Sequence, residues 1–291
     1  MTIILSVLIG LFVVPLLIGT VGLFVFSGRK KIKTVPTLLF HSVTENSSLE
    51  QSHITGTNLE RFLTYLHSND YTVLTVSGAV RESTSCDASK RVVMTFDDGF
   101  ENFFTQALPL FEQYGYKASV FPVVKSLDGY STWDTYAPQK QLSREQVRLL
   151  ADGGHEIGSH TLTHPDLVLL SEREFMFELS ESKKILEDIT GRNISTISFP
   201  FGSWNMKVWY CAQKCGYTAA VAYRKHSQVI LPIVPAIGVY AFDTVDDIIE
   251  KVEENLRFSN ARVRTAILPH FAKGTPVWKF RKSYDIFNYF R

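Results

Sequence analysis

Between Thr37 and Leu268 the chain alternates short apolar runs with amphipathic stretches, and this rhythm limits the folds open to it. The strand candidates are Thr37–Phe40, Val92–Phe96, Ala118–Val124, Glu156–Ile157, Ile197–Phe199, Ala219–Ala222, Ile237–Tyr240 and Thr265–Leu268. Helix candidates lie between them. Leu59, Phe62, Leu63 and Leu66 form one helical stripe. Ser143 with Gln146, and Ser171 with Glu174, have the spacing of capping boxes, and Gly153 and Gly191 stand where the two helices stop. The second helix carries Phe175, Leu179, Leu186 and Ile189 on one side, and Asp246–Leu256 forms another. Strands and helices in alternation predict an α/β fold with a mostly parallel sheet. Eight strand-like runs suit a (β/α) barrel in size, with an open doubly wound sheet as the alternative.

Ahead of this pattern, Thr2–Phe26 carries no charge and is mostly Ile, Leu, Val, Phe and Gly. At about 1.5 Å per residue such a helix spans a ~30 Å hydrocarbon core. The expected organisation is a transmembrane anchor over 1–28, a basic juxtamembrane linker over 29–36 and one domain over 37–291. A cleaved signal is the alternative for the first segment. Arg29, Lys30, Lys31 and Lys33 follow the apolar stretch, which by the positive-inside rule puts the domain on the cytoplasmic side.

The remainder is balanced in charge, 30 basic against 29 acidic residues, so no basic nucleic-acid surface is indicated. Three cysteines, Cys86, Cys211 and Cys215, make neither a disulfide framework nor a CxxC pair. Cys211 and Cys215 read as small buried hydrophobes on one helical face.

Chemistry concentrates at the ends of the strand candidates. Asp97 and Asp98 close Val92–Phe96 just before Gly99, and His160 and His164 follow Glu156–Ile157. An acidic pair before glycine is also a common solvated turn. An i, i+4 histidine pair suits one metal on a helical turn, although Pro165 disfavours the helical conformation at His164 and points to a terminal turn or loop. The combination carries more than either part. Two adjacent carboxylates repel, and a cation relieves the repulsion. One carboxylate and two imidazoles leave coordination positions open, as a catalytic zinc site requires, and leave the second carboxylate free to move protons. His270 ends the last apolar run, where it is either bonded to backbone or able to protonate a leaving group. Trp133, Tyr136 and Trp204 fall in predicted loops, as sugar-stacking platforms or as packing.

Taken in order, Thr95-Phe96-Asp97-Asp98-Gly99-Phe100, Ser159-His160-Thr161-Leu162-Thr163-His164-Pro165, Ser198-Phe199-Pro200-Phe201-Gly202 and Leu268-Pro269-His270 resemble the motifs of the polysaccharide deacetylase family, the NodB-homology domain. Leu39-Phe40-His41-Ser42-Val43 resembles a segment of a subgroup acting on exopolysaccharides. The resemblance covers essentially all of 37–291 and implies a distorted (β/α) barrel. It implies a metal-dependent hydrolase that removes N-acetyl groups from amino sugars of a poly- or oligosaccharide or glycolipid. It makes Asp98, His160 and His164 the metal ligands, Asp97 the general base and His270 the general acid. Phe201, through its N–H as oxyanion donor, with Pro200 and His41, falls on the substrate side. Zinc is the implied metal, with cobalt or nickel as substitutes. A polymer substrate outside the cell requires the orientation opposite to that set by the basic linker. The family's third motif often opens with Arg; here Ser198 stands there, and the alternative place beside Pro235 holds Ala236. No cation is therefore apparent to orient the base. That departure keeps a silent carbohydrate-binding relative, or a metallohydrolase of another ester or amide bond, as competing expectations.

Overall fold

The computed structural model describes residues 35–45, 52–82, 89–133, 137–223 and 232–253. Among the described residues are ten strands: β1 (Thr37–Phe40), β2 (Ser42–Thr44), β3 (His53–Thr55), β4 (Thr72–Leu74), β5 (Arg91–Asp98), β6 (Ser119–Pro122), β7 (Glu156–Ile157), β8 (Thr196–Ser198), β9 (Ala219–Tyr223) and β10 (Ile233–Gly238). Among the same residues seven α-helices accompany them: α1 (Gly56–Ser68), α2 (Val76–Glu82), α3 (Leu108–Gln113), α4 (Arg144–Asp152), α5 (Glu172–Thr190), α6 (Met206–Lys214) and α7 (Val245–Val252). The expected anchor over 1–28, most of the basic linker, Cys86, Tyr136, the strand Thr265–Leu268 and His270 lie outside the described residues. Among the described residues no helix is long and apolar enough to cross a membrane.

The main sheet runs β7-β6-β5-β1-β10-β9-β8, every neighbouring pair parallel. Its two ends meet. Ser159, just past β7, bridges Ile197 of β8; its N–H donates to Thr196 O at 3.0 Å and its carbonyl accepts from Ser198 N–H at 2.9 Å. Seven strands thus close into a parallel barrel, distorted at this seam, where one residue carries the pairing. Gly158 permits the approach: a Cβ there would lie 2.2 Å from the Phe121 ring and 2.6 Å from Thr196 Oγ1. β4 pairs with the first three residues of β5, on the edge that β6 occupies further along. β2 and β3 form a separate two-stranded ribbon.

Side-chain alternation divides the strands into two faces. Leu38, Phe40, Val92, Met94, Phe96, Val120, Ile197, Ala220 and Ala222 pack with the helices in the large outer core. Leu39, Val93, Phe121, Val221, Val234 and Ala236 form a smaller cluster with Val76 and Ala79 of α2. Counting by twos from Val93 brings Asp97 to the inner face at the C-terminal end of β5. The same count brings His41, Ser198 and Tyr223 inward at the ends of β1, β8 and β9. The helices follow their capping signals. Ser143/Gln146 and Ser171/Glu174 form reciprocal capping boxes, as does Thr244/Asp247, and Gly191 ends α5 at φ 64°. Cys211 is buried and free, and Cys215 packs partly buried on the same core, as expected of hydrophobes.

One buried histidine makes the outer core sensitive to acid. His155 packs against Phe103 and Phe111 at 5.7 and 6.2 Å, and its Nδ1 accepts from Ala118 N–H at 3.2 Å. Burial, aided by Lys117, drives its pKa down to about 4. The unfolded chain therefore takes up this proton first, near the ordinary histidine value. The stability from the neutral ring is complete above that value and is lost as pH falls toward 4. At pH 4.5 the loss amounts to about 2–3 kcal/mol. His155→Gln keeps an acceptor for Ala118 but does not titrate. Urea unfolding at pH 7 and 4.5 should show the wild type losing more stability than this variant by about that amount.

Candidate active site

The acidic pair sits where β5 leaves the barrel. Asp98 and Gly99 both adopt left-handed backbone, φ 70° and 74°, turning the chain away at once. Glycine is required at the second position, because a Cβ would come within 2.6 Å of Pro122 Cβ. Pro122 ends β6, and its carbonyl accepts from His160 N–H at 3.1 Å. The histidine pair does not share a helical turn. Thr161 and His164 are left-handed, φ 68° and 64°, and form a tight loop beyond the seam. The bend expected from Pro165 is therefore present, and the helical geometry is not.

Three donors converge. His160 Nε2 and His164 Nε2 each lie 3.4 Å from Asp98 Oδ1, and the potential ligand atoms of these residues all fall within 4.8 Å of one another. All three residues are buried, and Asp98 Oδ1 has no hydrogen-bond partner. A buried carboxylate oxygen without a donor is costly, and a cation among these three atoms removes the cost. The separations agree: donors on a tetrahedral ion with bonds of about 2.1 Å stand about 3.4 Å apart. His160 Nδ1 lies 2.8 Å from Ser198 O; a carbonyl only accepts, so Nδ1 holds the proton and Nε2 is left as the atom able to bind an ion. The residues present thus fit a divalent metal.

Asp97 stands beside this trio. Its Oδ2 is 4.0 Å from His160 Nε2 and accepts from Ser198 Oγ at 2.8 Å, while its Oδ1 is buried without a partner. Ser198, at the place where the family often has Arg, therefore holds the acid through its side chain and His160 through its carbonyl. Burial raises the pKa of Asp97 against the opposing pull of His160, His41 and the Ser198 hydroxyl. Burial also acts on Asp98, but there His160, His164 and His41 outweigh it, and the carboxyl is held below its usual range. His164 is driven down to about 3 by burial and stays a neutral donor. Burial opposes charge on His160 too, yet Asp97 and Asp98 raise its pKa.

The other expected residues fall around this centre. His41, at the end of β1, acts electrostatically on Asp97, Asp98 and His164, and its Nδ1 is buried without a partner. Phe201 is left-handed at φ 58°, with its ring edge-on to His164 at 4.7 Å, and follows the buried Pro200. Trp133 is buried and stacked on His164 at 5.0 Å, whereas Trp204 packs on Phe199 at 6.3 Å. Glu178 was not anticipated. It is fully buried on α5 and accepts from Leu162 N–H and Thr163 N–H, both at 2.9 Å.

A parallel barrel with an acid, a second carboxylate and two imidazoles at its C-terminal rim has the layout of a (β/α)-barrel hydrolase. Residues 84–220 match the polysaccharide deacetylase family. YxkH of Bacillus subtilis, named for polysaccharide deacetylation, is 30% identical over 194 residues, 66% of this chain and 65% of that protein. A peptidoglycan-N-acetylglucosamine deacetylase of Bacillus cereus is 29% identical over 112 residues, 38% of this chain and 36% of its own length. The match thus spans less than two thirds of either relative. The fold agrees with that of the Streptococcus pyogenes deacetylase PplD, solved with acetate: TM-score 0.65 at 20% identity, covering 76% of this chain and 98% of PplD. Over residues 84–220 the chain carries a polysaccharide deacetylase domain.

Proposed function

We propose that this chain is a metal-dependent hydrolase that removes N-acetyl groups from amino sugars of a poly- or oligosaccharide or glycolipid. The reading rests on one juxtaposition: an unpartnered carboxylate oxygen on Asp97 beside the buried trio Asp98, His160 and His164. The trio holds the metal, with zinc suited to one carboxylate and two imidazoles and with cobalt or nickel as substitutes. A divalent ion there supplies Lewis acidity and lowers the pKa of water toward neutrality. Asp97 supplies the base. With Oδ2 fixed by Ser198, Oδ1 takes the proton from water as its oxygen adds to the acetamide carbon. The Phe201 N–H, presented by a left-handed turn, donates to the developing oxyanion, a contact of a kind worth about 3–4 kcal/mol. His270 gives the departing amine its proton, the role implied by its place in the last motif. His41 and Pro200 border the acetyl group.

Names among the relatives, peptidoglycan-N-acetylglucosamine deacetylase in one case and chitooligosaccharide deacetylase of Azorhizobium caulinodans in another, support N-acetylated glycans as the substrate class. A panel of N-acetylglucosamine oligomers, peptidoglycan, an acetyl ester and a cyclic amide, each assayed with zinc for acetate and free amine, tests the reading. One amine per acetate from an N-acetylated sugar is expected. Cleavage of the ester or cyclic amide alone replaces it with another hydrolase, and sugar binding without acetate release replaces it with a silent relative.

A further inference from the structure

The loop that carries both histidines is strained at each end. Thr161 and His164 are left-handed, and for the β-branched Thr161 that conformation is an outlier which persists only where its surroundings enforce it. Between them, the N–H groups of Leu162 and Thr163 converge on one oxygen. Glu178 Oε2 accepts both at 2.9 Å, and Oε1 accepts Thr163 Oγ1 at 2.6 Å. On the other side of the loop, Val124 N–H donates to Thr161 O at 3.2 Å and Lys125 N–H to Leu162 O at 2.9 Å. The middle of the loop is thus held from two directions, by the turn after β6 and by the Glu178 side chain, while His164 N–H donates to Thr161 Oγ1 at 3.0 Å.

That side chain is fixed. Glu178 belongs to the inward stripe of α5, between Phe175 and Leu179, on a helix whose start is set by its capping box. One turn on, Ser182 Oγ meets Ser159 Oγ at 2.8 Å, and Ser159 Oγ accepts from Thr161 N–H at 3.0 Å. The donors to Glu178 are all neutral, and its burial is complete. A carboxylate is retained at such a position at a desolvation cost that apolar packing would avoid.

We propose that Glu178 is a positioning residue for the metal site: its carboxylate clamps the Thr161–His164 loop so that His160 and His164 face Asp98 together. The proposal rests on the metal reading above. It assigns Glu178 the task of accepting hydrogen bonds at a set reach, so two conservative changes separate it from a purely structural role. Glu178→Asp keeps the carboxyl group but withdraws the oxygens by one methylene. Glu178→Gln keeps the reach, with an amide oxygen for the two N–H groups and an amide N–H for Thr163 Oγ1.

Zinc affinity of the folded full chain, measured by chelator competition well below the unfolding temperature of each metal-free protein, is the readout. Glu178→Asp should bind zinc about 10–100-fold more weakly than wild type, and Glu178→Gln within about threefold of it. A Glu178→Asp protein that binds as tightly as wild type overturns the clamp, as does a Glu178→Gln protein as weak as Glu178→Asp. A structural role lowers the unfolding temperature of both and leaves zinc affinity unchanged. Wild-type protein that takes up no zinc is a different failure: it removes the metal reading, and the clamp with it.

Discussion

Asp97→Asn should lower the rate of acetate release by at least about a hundredfold while zinc stays bound with wild-type affinity. Asn is nearly isosteric and still presents an oxygen to the Ser198 hydroxyl, so the 2.8 Å hydrogen bond survives. What disappears is the proton acceptor, and general bases of this kind contribute about 10²–10⁴ in rate. The trio is spared because Asp97 is not part of it: the atoms able to hold an ion belong to Asp98, His160 and His164. Removing the charge of Asp97 also removes one of the influences that raise the pKa of His160. Zinc then competes with a more weakly held proton, so affinity should not fall. Acetate release and zinc binding measured on the same preparation separate these effects. Turnover above about a tenth of wild type would exclude Asp97 as the base.

Much of this site is written in local spacing. The pattern of two acids at a strand end and two histidines after another survives folding because parallel strands with helical crossovers bring their C-terminal ends to one rim. The capping boxes at Ser143 and Ser171 and the stripe in α1 read directly from the sequence for the same reason: each depends on residues three or four apart. What escaped the sequence depends on distant neighbours. β4 has three residues and owes its existence to the first residues of β5. α2 is seven residues long, and Val76 and Ala79 are defined by the inner cluster they join. β10 begins at Ile233, ahead of the expected Ile237, and runs through Pro235, which has no N–H for the ladder and masks the strand. The barrel seam is a single residue, Ser159, invisible to any periodicity.

The same distinction applies within the site. Ser198 reads from the sequence as a missing arginine; only the fold shows its hydroxyl on Asp97 and its carbonyl on His160. Glu178 did leave a trace. In the stripe Phe175, Glu178, Leu179, Ser182, Leu186 a glutamate and a serine occupy core positions of α5, and a polar residue on a buried stripe calls for a partner. The partner, a loop in left-handed backbone, has no sequence signature, because Thr161 is a poor candidate for that conformation.

His160→Ala should abolish zinc binding and acetate release together, and its effect on the metal should exceed that of any change at Glu178. Three donors are the minimum this site offers, and His160 is one of them. Losing a ligand should weaken zinc by more than about a hundredfold, beyond the range typical of residues that only orient ligands. The loss extends to Asp97 and Asp98. His160 favours the ionised form of both acids against burial. Without it the two neighbouring carboxylates repel with less compensation, so protons should bind there more readily. Ser198 O is left without the Nδ1 donor at a buried position, an additional cost of about 1–3 kcal/mol. The variant should therefore unfold at lower temperature than wild type even without metal, and added zinc should raise the unfolding temperature of wild type but not of this variant. Asp97→Asn, in contrast, should retain the zinc-dependent rise while losing turnover. A His160→Ala protein that still gains stability from zinc would place the ion elsewhere than among Asp98, His160 and His164.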